Sequence, residues 1–168
     1  MANSTGEPVS GTTSEDIEAF AAGLPARTAL IGIDAGTKTL GLALSDITRT
    51  IASPLKVIRR TKFKEDAADL LHTAAEHRVG GFVLGLPFNL DGTAGPRVQA
   101  TRALARNLNA LCELPILLWD ERLSTAAAER TLLEADTSRR RRAQVIDKLA
   151  ATIILQGALD RMRRITSA

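Results

Sequence analysis

The stretch that decides the fold is Ala29-Leu30-Ile31-Gly32-Ile33-Asp34-Ala35-Gly36-Thr37-Lys38-Thr39-Leu40-Gly41-Leu42-Ala43-Leu44-Ser45. Residues 29–34 are a short apolar run that closes on an acid and then Gly36, the pattern of a strand leaving a core. Leu40, Leu42 and Leu44 alternate with the small Gly41, Ala43 and Ser45, and that period of two predicts a second strand. Residues 55–59, after Pro54, form a third candidate. Three strands so closely spaced predict an antiparallel meander.

Downstream the period lengthens. Phe63, Ala67, Leu70, Leu71, Ala74 and Ala75 make one helical face. Gly80-Gly81 interrupts the chain, and residues 82–84 form a buried strand. A helix starts at Pro96, a favoured first helical residue. It places Ala100, Leu104, Leu108 and Leu111 on the core face and Arg97, Arg102 and Arg106 elsewhere. Residues 116–119 give a fifth strand, and two helices follow over residues 125–134 and 143–163. The order is β-β-β-α-β-α-β-α-α, and its strand–helix–strand units imply parallel strands joined by right-handed crossovers. The expected fold is α/β: a mixed five-stranded sheet, its first three strands antiparallel, flanked by helices. Residues 1–27 are rich in Ser, Thr, Gly, Pro and Glu and are expected to form a disordered tail with one short helix over residues 15–22. The folded domain is expected over residues 28–168.

With 168 residues and 45% apolar content the chain can bury a substantial single core. Four Phe, one Trp and no Tyr argue against a single-strand binder built on aromatic stacking. A net charge of +3 says little by itself. Its distribution says more: Arg139, Arg140, Arg141 and Arg142 stand in a row, and Arg163 and Arg164 follow in the last helix. Clustered positive charge of this kind suits a polyphosphate backbone. The single cysteine, Cys112, excludes an internal disulfide. No apolar run reaches the length of a membrane span, and the N-terminus lacks a secretory pattern. A cytoplasmic location and no membrane partner are expected.

Three carboxylate positions carry the chemistry. Asp34 closes a buried strand, where an ionised carboxylate is costly without a partner. Gly36 permits close approach of a ligand to the backbone, and Lys38 can meet a phosphate. Asp120 and Glu121 follow the fifth strand. Being adjacent, they project to opposite faces, so one of the two enters the site, and Arg122 stands beside them. Asp147 shares the apolar stripe of the last helix with Ala151, Ile154 and Ala158. Oxygen ligands of this kind suit hard divalent cations, and two such cations can clamp the attacking and leaving oxygens of a phosphoryl displacement. The two histidines, His72 and His77, share one helix and suit a solvated face better than a zinc site. The loop Gly85-Leu86-Pro87-Phe88-Asn89-Leu90-Asp91-Gly92 follows the fourth strand, and its Asn89 and Asp91 are candidate substrate contacts at a strand's carboxyl end. The four arginines before Asp147 are candidates for holding the phosphates that flank the cut one.

Taken together, Asp34 to Asp46, Gly85 to Thr93, Asp120-Glu121-Arg122-Leu123-Ser124-Thr125, and the arginine run leading into Ile146-Asp147-Lys148-Leu149-Ala150-Ala151 occur in the order of the YqgF (RuvX) family, which the chain resembles from Leu30 to Leu159. The resemblance implies an RNase H-like fold related to RuvC-type Holliday-junction resolvases. It also implies magnesium or manganese, and a role in processing the small-subunit ribosomal RNA precursor. Carried over residue by residue, Asp34, the Asp120/Glu121 position and Asp147 would be the catalytic metal ligands. In the mechanism this suggests, Asp34 would bridge two ions, Glu121 in preference to Asp120 would bind one, Asp147 would complete the set, and Lys38 and Arg122 would stabilise phosphoryl charge. One departure from the RuvC pattern is that the fourth strand ends in Gly85-Leu86-Pro87, so the second acid comes from the fifth strand. The expected partner is nucleic acid, either precursor rRNA or branched DNA. Symmetrical cutting of a junction would favour a homodimer.

Two other classes share parts of this pattern. Sugar kinases and actin-like ATPases also follow a first strand with Asp-x-Gly-Thr, but they enclose a nucleotide between two such domains, and this sequence holds one. A nucleic-acid-binding or ribosome-assembly module could keep the fold without cleavage, although the three acids argue against it.

Overall fold

The computed structural model describes residues 11–124 and 139–166, the side chains of residues 139–148 excepted. Strand β1 covers Thr13–Ser14, helix α1 Ile17–Ala22, β2 Ala29–Ala35, β3 Thr39–Ser45 and β4 Ala52–Arg59. Helix α2 follows over Phe63–Glu76, then β5 over Val79–Leu86, α3 over Pro96–Asn109 and β6 over Ile116–Asp120. A single 3-10 turn spans Glu121–Leu123, and α4 spans Arg139–Thr166. The helix expected over residues 125–134 lies outside the described residues.

The strands form one sheet in the order β1-β6-β5-β2-β3-β4. The expected meander is present: β2 pairs antiparallel with β3, and β3 with β4. The later strand–helix–strand units give the expected parallel pairs, β2 with β5 and β5 with β6. The sheet has six strands rather than five. The extra one is β1, which pairs parallel with β6 through Thr13↔Ile116 and Ser14↔Leu117.

The stretch expected as a tail therefore contributes ordered structure over its described part, residues 11–27. Asp16 caps α1 by accepting from the N–H groups of Glu18 and Ala19. Phe20 is 3% exposed and packs in the core beneath α4. Glu15 pairs with Arg102 at 2.8 Å. A two-residue strand of Thr and Ser shows neither apolar content nor alternation, so periodicity could not reveal it.

Two apolar layers cover the sheet. On one face Ile31, Ile33, Leu40, Leu42, Phe82, Leu84 and Leu118 meet α2 and α3. On the other, Leu30, Ala43, Val83, Leu117 and Trp119 meet Ala151, Ile154, Leu155 and Ala158 of α4. Each Leu, Ile, Val or Phe among them, fully buried, contributes about 1.5–3 kcal/mol before the entropy of ordering is subtracted. Helix α3 buries Leu104 and Leu108 as expected, but not the other two residues of the expected stripe. Val98, Thr101, Leu104, Ala105 and Leu108 are buried, while Ala100 is exposed and Leu111 lies past the helix end at 53% exposure. Helix α4 can lie close to the sheet because Gly32 has no side chain. A Cβ there would sit 2.7 Å from Leu155 Cβ and 2.9 Å from the Ala151 carbonyl.

Candidate active site

Asp34 is the last buried residue of β2 and is 4% exposed. Successive strand residues face opposite sides, so Asp34 shares the α4 side of the sheet with Leu30 and Gly32. Its partner on β3 is Gly41. On its other flank the β2–β5 register, Ile33↔Leu84, carries Gly85 alongside it. The carboxylate thus stands between two glycines, where neighbouring strands leave room around it.

Glu121 reaches the same place from β6. It is 7% exposed, and its Cγ and Cδ lie 2.9 and 3.1 Å from where a Cβ on Gly85 would be. The acid from the end of β6 therefore lies over the glycine beside Asp34. Helix α4 completes the enclosure from above: Ile154 Cδ1 lies 2.6 Å from the same point on Gly85.

Asp120 takes a different course. Its carboxylate accepts from the backbone N–H of Arg122 at 2.9 Å, and from Nε and Nη2 of the same residue at 3.0 and 2.7 Å. The Arg122 guanidinium holds the Asp120 carboxyl below the usual carboxylate range. The 3-10 turn at Glu121–Leu123 produces this split. It folds Arg122 back onto Asp120 and turns Glu121 inward.

Arg122 is fixed a second time, its guanidinium carbon lying 5.2 Å from the centre of the Phe88 ring. It thereby ties the end of β6 to the loop after β5. In that loop Asn89 donates to the Thr93 hydroxyl at 2.9 Å, and Asp91 accepts from the Thr93 N–H at 2.9 Å and from its hydroxyl at 2.6 Å. Those bonds hold the Asp91 carboxyl below its ordinary range. Gly92 turns the loop with a φ of 86°, a left-handed value that suits glycine. Asn89 and Asp91 thus use these groups to shape the loop. Lys38, on the turn between β2 and β3, is exposed.

Asp147 and the four arginines at 139–142 lie on the backbone of α4, and their side chains fall outside the described residues. Asp147 precedes Ala151, the residue whose carbonyl abuts Gly32, by one helical turn. Among the described residues no group of three or more His, Cys, Asp or Glu side chains could hold a metal ion. His72 pairs with Glu76 at 2.8 Å on an exposed helix face, as the solvated-face reading expects. No helix among the described residues is long and apolar enough to cross a membrane.

Gly85 was legible only as part of a loop motif, although a glycine closing an apolar strand signals close approach of another group. Arg60 and Arg97 carry no local sequence signal of a role at the site. They donate to the carbonyls of Gly36 and Ala35, the two residues that follow Asp34. No local pattern links residue 97 to residue 35.

Residues 28–161 match the RuvX family, which is described as Holliday junction resolvase. The chain belongs to the RuvX family. RuvX relatives carry the provisional name pre-16S rRNA nuclease. One from Rhodobacter capsulatus is 61% identical over 149 residues, covering 89% of this chain and 94% of the relative. One from Paracoccus denitrificans is 62% identical over the same shares. Among solved structures, RuvC from Thermus thermophilus in complex with a Holliday junction substrate covers 80% of this RuvX chain and 96% of its own, with 16% identity and a TM-score of 0.49. The yeast mitochondrial Holliday junction resolvase gives 12% identity and a TM-score of 0.46, over 88% and 87% of the two chains. Membership of RuvX therefore stands on sequence, and the sheet order on the chain's own strand pairing.

Proposed function

We propose that this RuvX chain is a divalent-metal-dependent endonuclease that cuts phosphodiester bonds in structured nucleic acid, with the small-subunit rRNA precursor as its substrate in the cytoplasm. One observation carries the reading: at the carboxyl edge of the sheet Glu121, from the turn after β6, lies over Gly85, the glycine that stands beside Asp34 on β2, and both carboxylates are buried.

The donor set fits magnesium or manganese, since both described carboxylates offer hard oxygen ligands and the site holds no thiolate or imidazole. Asp34 and Glu121 would hold the ion, with Asp147 as third ligand from the turn of α4 that precedes Ala151. When bound, the cation supplies the acidity that makes water a nucleophile at neutral pH and offsets charge on the transferred phosphoryl group. Arg122, held by Asp120 and Phe88, presents a fixed guanidinium to a phosphate oxygen. Lys38 offers a second cation on the turn after Asp34. Asp120 acts through Arg122 and is a positioning residue in this scheme.

Four-way DNA junctions are the second substrate, supported by the description of the matched family. Cutting a junction symmetrically would call for two copies of the chain. The test is cleavage of a labelled precursor-rRNA fragment and a labelled four-way junction side by side, each with magnesium, manganese or chelator. Wild type is compared with Asp34→Asn, Glu121→Gln and Asp147→Asn. Metal-dependent cutting lost in all three variants is the expected result, and the preferred substrate assigns the pathway. Binding without cleavage of either substrate would replace the nuclease with a non-catalytic assembly module of the same fold.

A further inference from the structure

The two residues after Asp34 are gripped by cations from distant parts of the chain. Arg60, just beyond β4, donates from Nη1 to the Gly36 carbonyl at 2.7 Å, and its backbone N–H donates to the Lys38 carbonyl at 2.9 Å. Arg97, in the first turn of α3, donates from Nη2 to the Ala35 carbonyl at 3.4 Å. With Gly36, Thr37 and Thr101 they line a recess of about 50 Å³. No carboxylate among the described residues pairs with either guanidinium. A guanidinium has five N–H donors, and one carbonyl bond leaves most of them for an acceptor outside the chain.

The recess has a defined relation to the acids. Asp34 faces the α4 side of the sheet, whereas Ala35 packs with the opposite core, beside α3. The end of β2 is the ridge between them. A nucleic acid lying across the carboxyl ends of the strands would meet Asp34 and Glu121 on one side of that ridge and the two arginines on the other. Two cations bonded to the carbonyls one and two residues after Asp34, with no carboxylate partner among the described residues, suit an anion of fixed position.

We propose that Arg60 and Arg97 form a phosphate subsite that holds a backbone phosphate of the substrate next to the one being cut. This rests on the nuclease reading above. The subsite is separate from the arginine run at 139–142, and it sets which phosphate comes to rest over Asp34. Lys38, on the same turn, is an exposed third cation.

The experiment measures binding of a fluorescein-labelled precursor-rRNA hairpin by anisotropy. The full chain carries Asp34→Asn and is kept in chelator, so that nothing is cut, and salt is varied between about 50 and 200 mM. The Arg60→Gln/Arg97→Gln pair should weaken binding about tenfold or more and lower the slope of log affinity against log salt by about two, one unit for each arginine that no longer neutralises a phosphate. Glutamine is polar and uncharged, and unchanged melting temperatures would show that loss of the two carbonyl bonds leaves the fold intact. Arg60→Lys/Arg97→Lys should restore most of the slope. Arg106→Gln, at the far end of α3, should leave it unaltered. An unchanged slope in the glutamine pair, or an equal loss with Arg106→Gln, would overturn the subsite while leaving the nuclease reading in place. Failure of the parent chain to bind any nucleic acid would overturn both.

Discussion

Glu121 lies directly over Gly85: a methyl group on that glycine would come within 2.9 Å of Glu121 Cγ. The missing side chain is what lets the acid at the end of β6 reach across β5 toward Asp34. Gly85→Ala should therefore push Glu121 aside and collide with Ile154, 2.6 Å away. The expected stability cost is about 1–3 kcal/mol by overpacking. The expected loss of cleavage is larger, about a hundredfold, because displacement of a catalytic group by an ångström is enough for that. Single-turnover cleavage and urea melts of the same preparation separate the two effects. A stable variant of undiminished activity would remove Glu121 from the site.

Asp120 and Glu121 should respond differently to loss of charge. Glu121→Gln should abolish metal-dependent cleavage. Asp120→Asn keeps an acceptor for Arg122 and should lower cleavage by about tenfold or less, since it loses only the charge that steadies an exposed guanidinium. Titration of manganese by calorimetry provides a second readout, in which affinity falls with Glu121→Gln and is unchanged with Asp120→Asn. The reverse ranking would exchange their roles.

Asp46 gives the fold an acid-sensitive turn. Its carboxylate accepts from the N–H groups of Thr50 and Ile51 at 2.8 and 2.9 Å and from the Thr48 hydroxyl. The Ile51 backbone bond and the Thr48 hydroxyl bond lower its pKa from 3.8 to about 2. A depressed folded-state value means that its contribution is complete above the ordinary value and fades as pH falls through about 2. Asp46→Ala should cost about 1 kcal/mol near neutral pH, an amount kept small by solvent around the turn. The difference from wild type should shrink on acidification. Chemical denaturation at several pH values checks this, and a difference that grew toward low pH would contradict it.

Trp119 is 7% exposed, and its indole N–H is buried without a hydrogen-bond partner. Trp119→Phe retains most of the ring packing against α4 and removes that unmet donor. It should stay within about 1 kcal/mol of wild type, whereas Trp119→Ala should cost about 3–5 kcal/mol. Equal losses in the two variants, read from urea melts, would mean that the donor, rather than the ring, matters.

Much of this was legible in the sequence because it is local. The alternation of Leu40, Leu42 and Leu44 gave β3, and an acid closing the apolar run at Asp34 marked the first ligand candidate. The direction of Asp120 against Glu121 was not legible. Adjacency alone says only that they diverge, and the decision belongs to a three-residue turn and to the return of Arg122 onto Asp120. The inward stripe of α3 was legible at Leu104 and Leu108, whereas Leu111 is exposed because the helix ends at Asn109. The grip of Arg60 and Arg97 on residues 35 and 36 depends on contacts that only the folded sheet creates.

The two-residue strand at Thr13–Ser14 also has a bearing on solubility. A sheet that ended at β6 would offer a bare row of N–H and C=O groups to any extended chain. β1 occupies that row: the Ile116 N–H donates to the Thr12 carbonyl at 2.8 Å. The opposite margin is defended by other means, since β4 carries Pro54, which has no N–H to give, and an irregular register beside it. Removing residues 11–14 should thus produce a chain that folds but self-associates edge to edge, through the very strand that ends in the acidic pair.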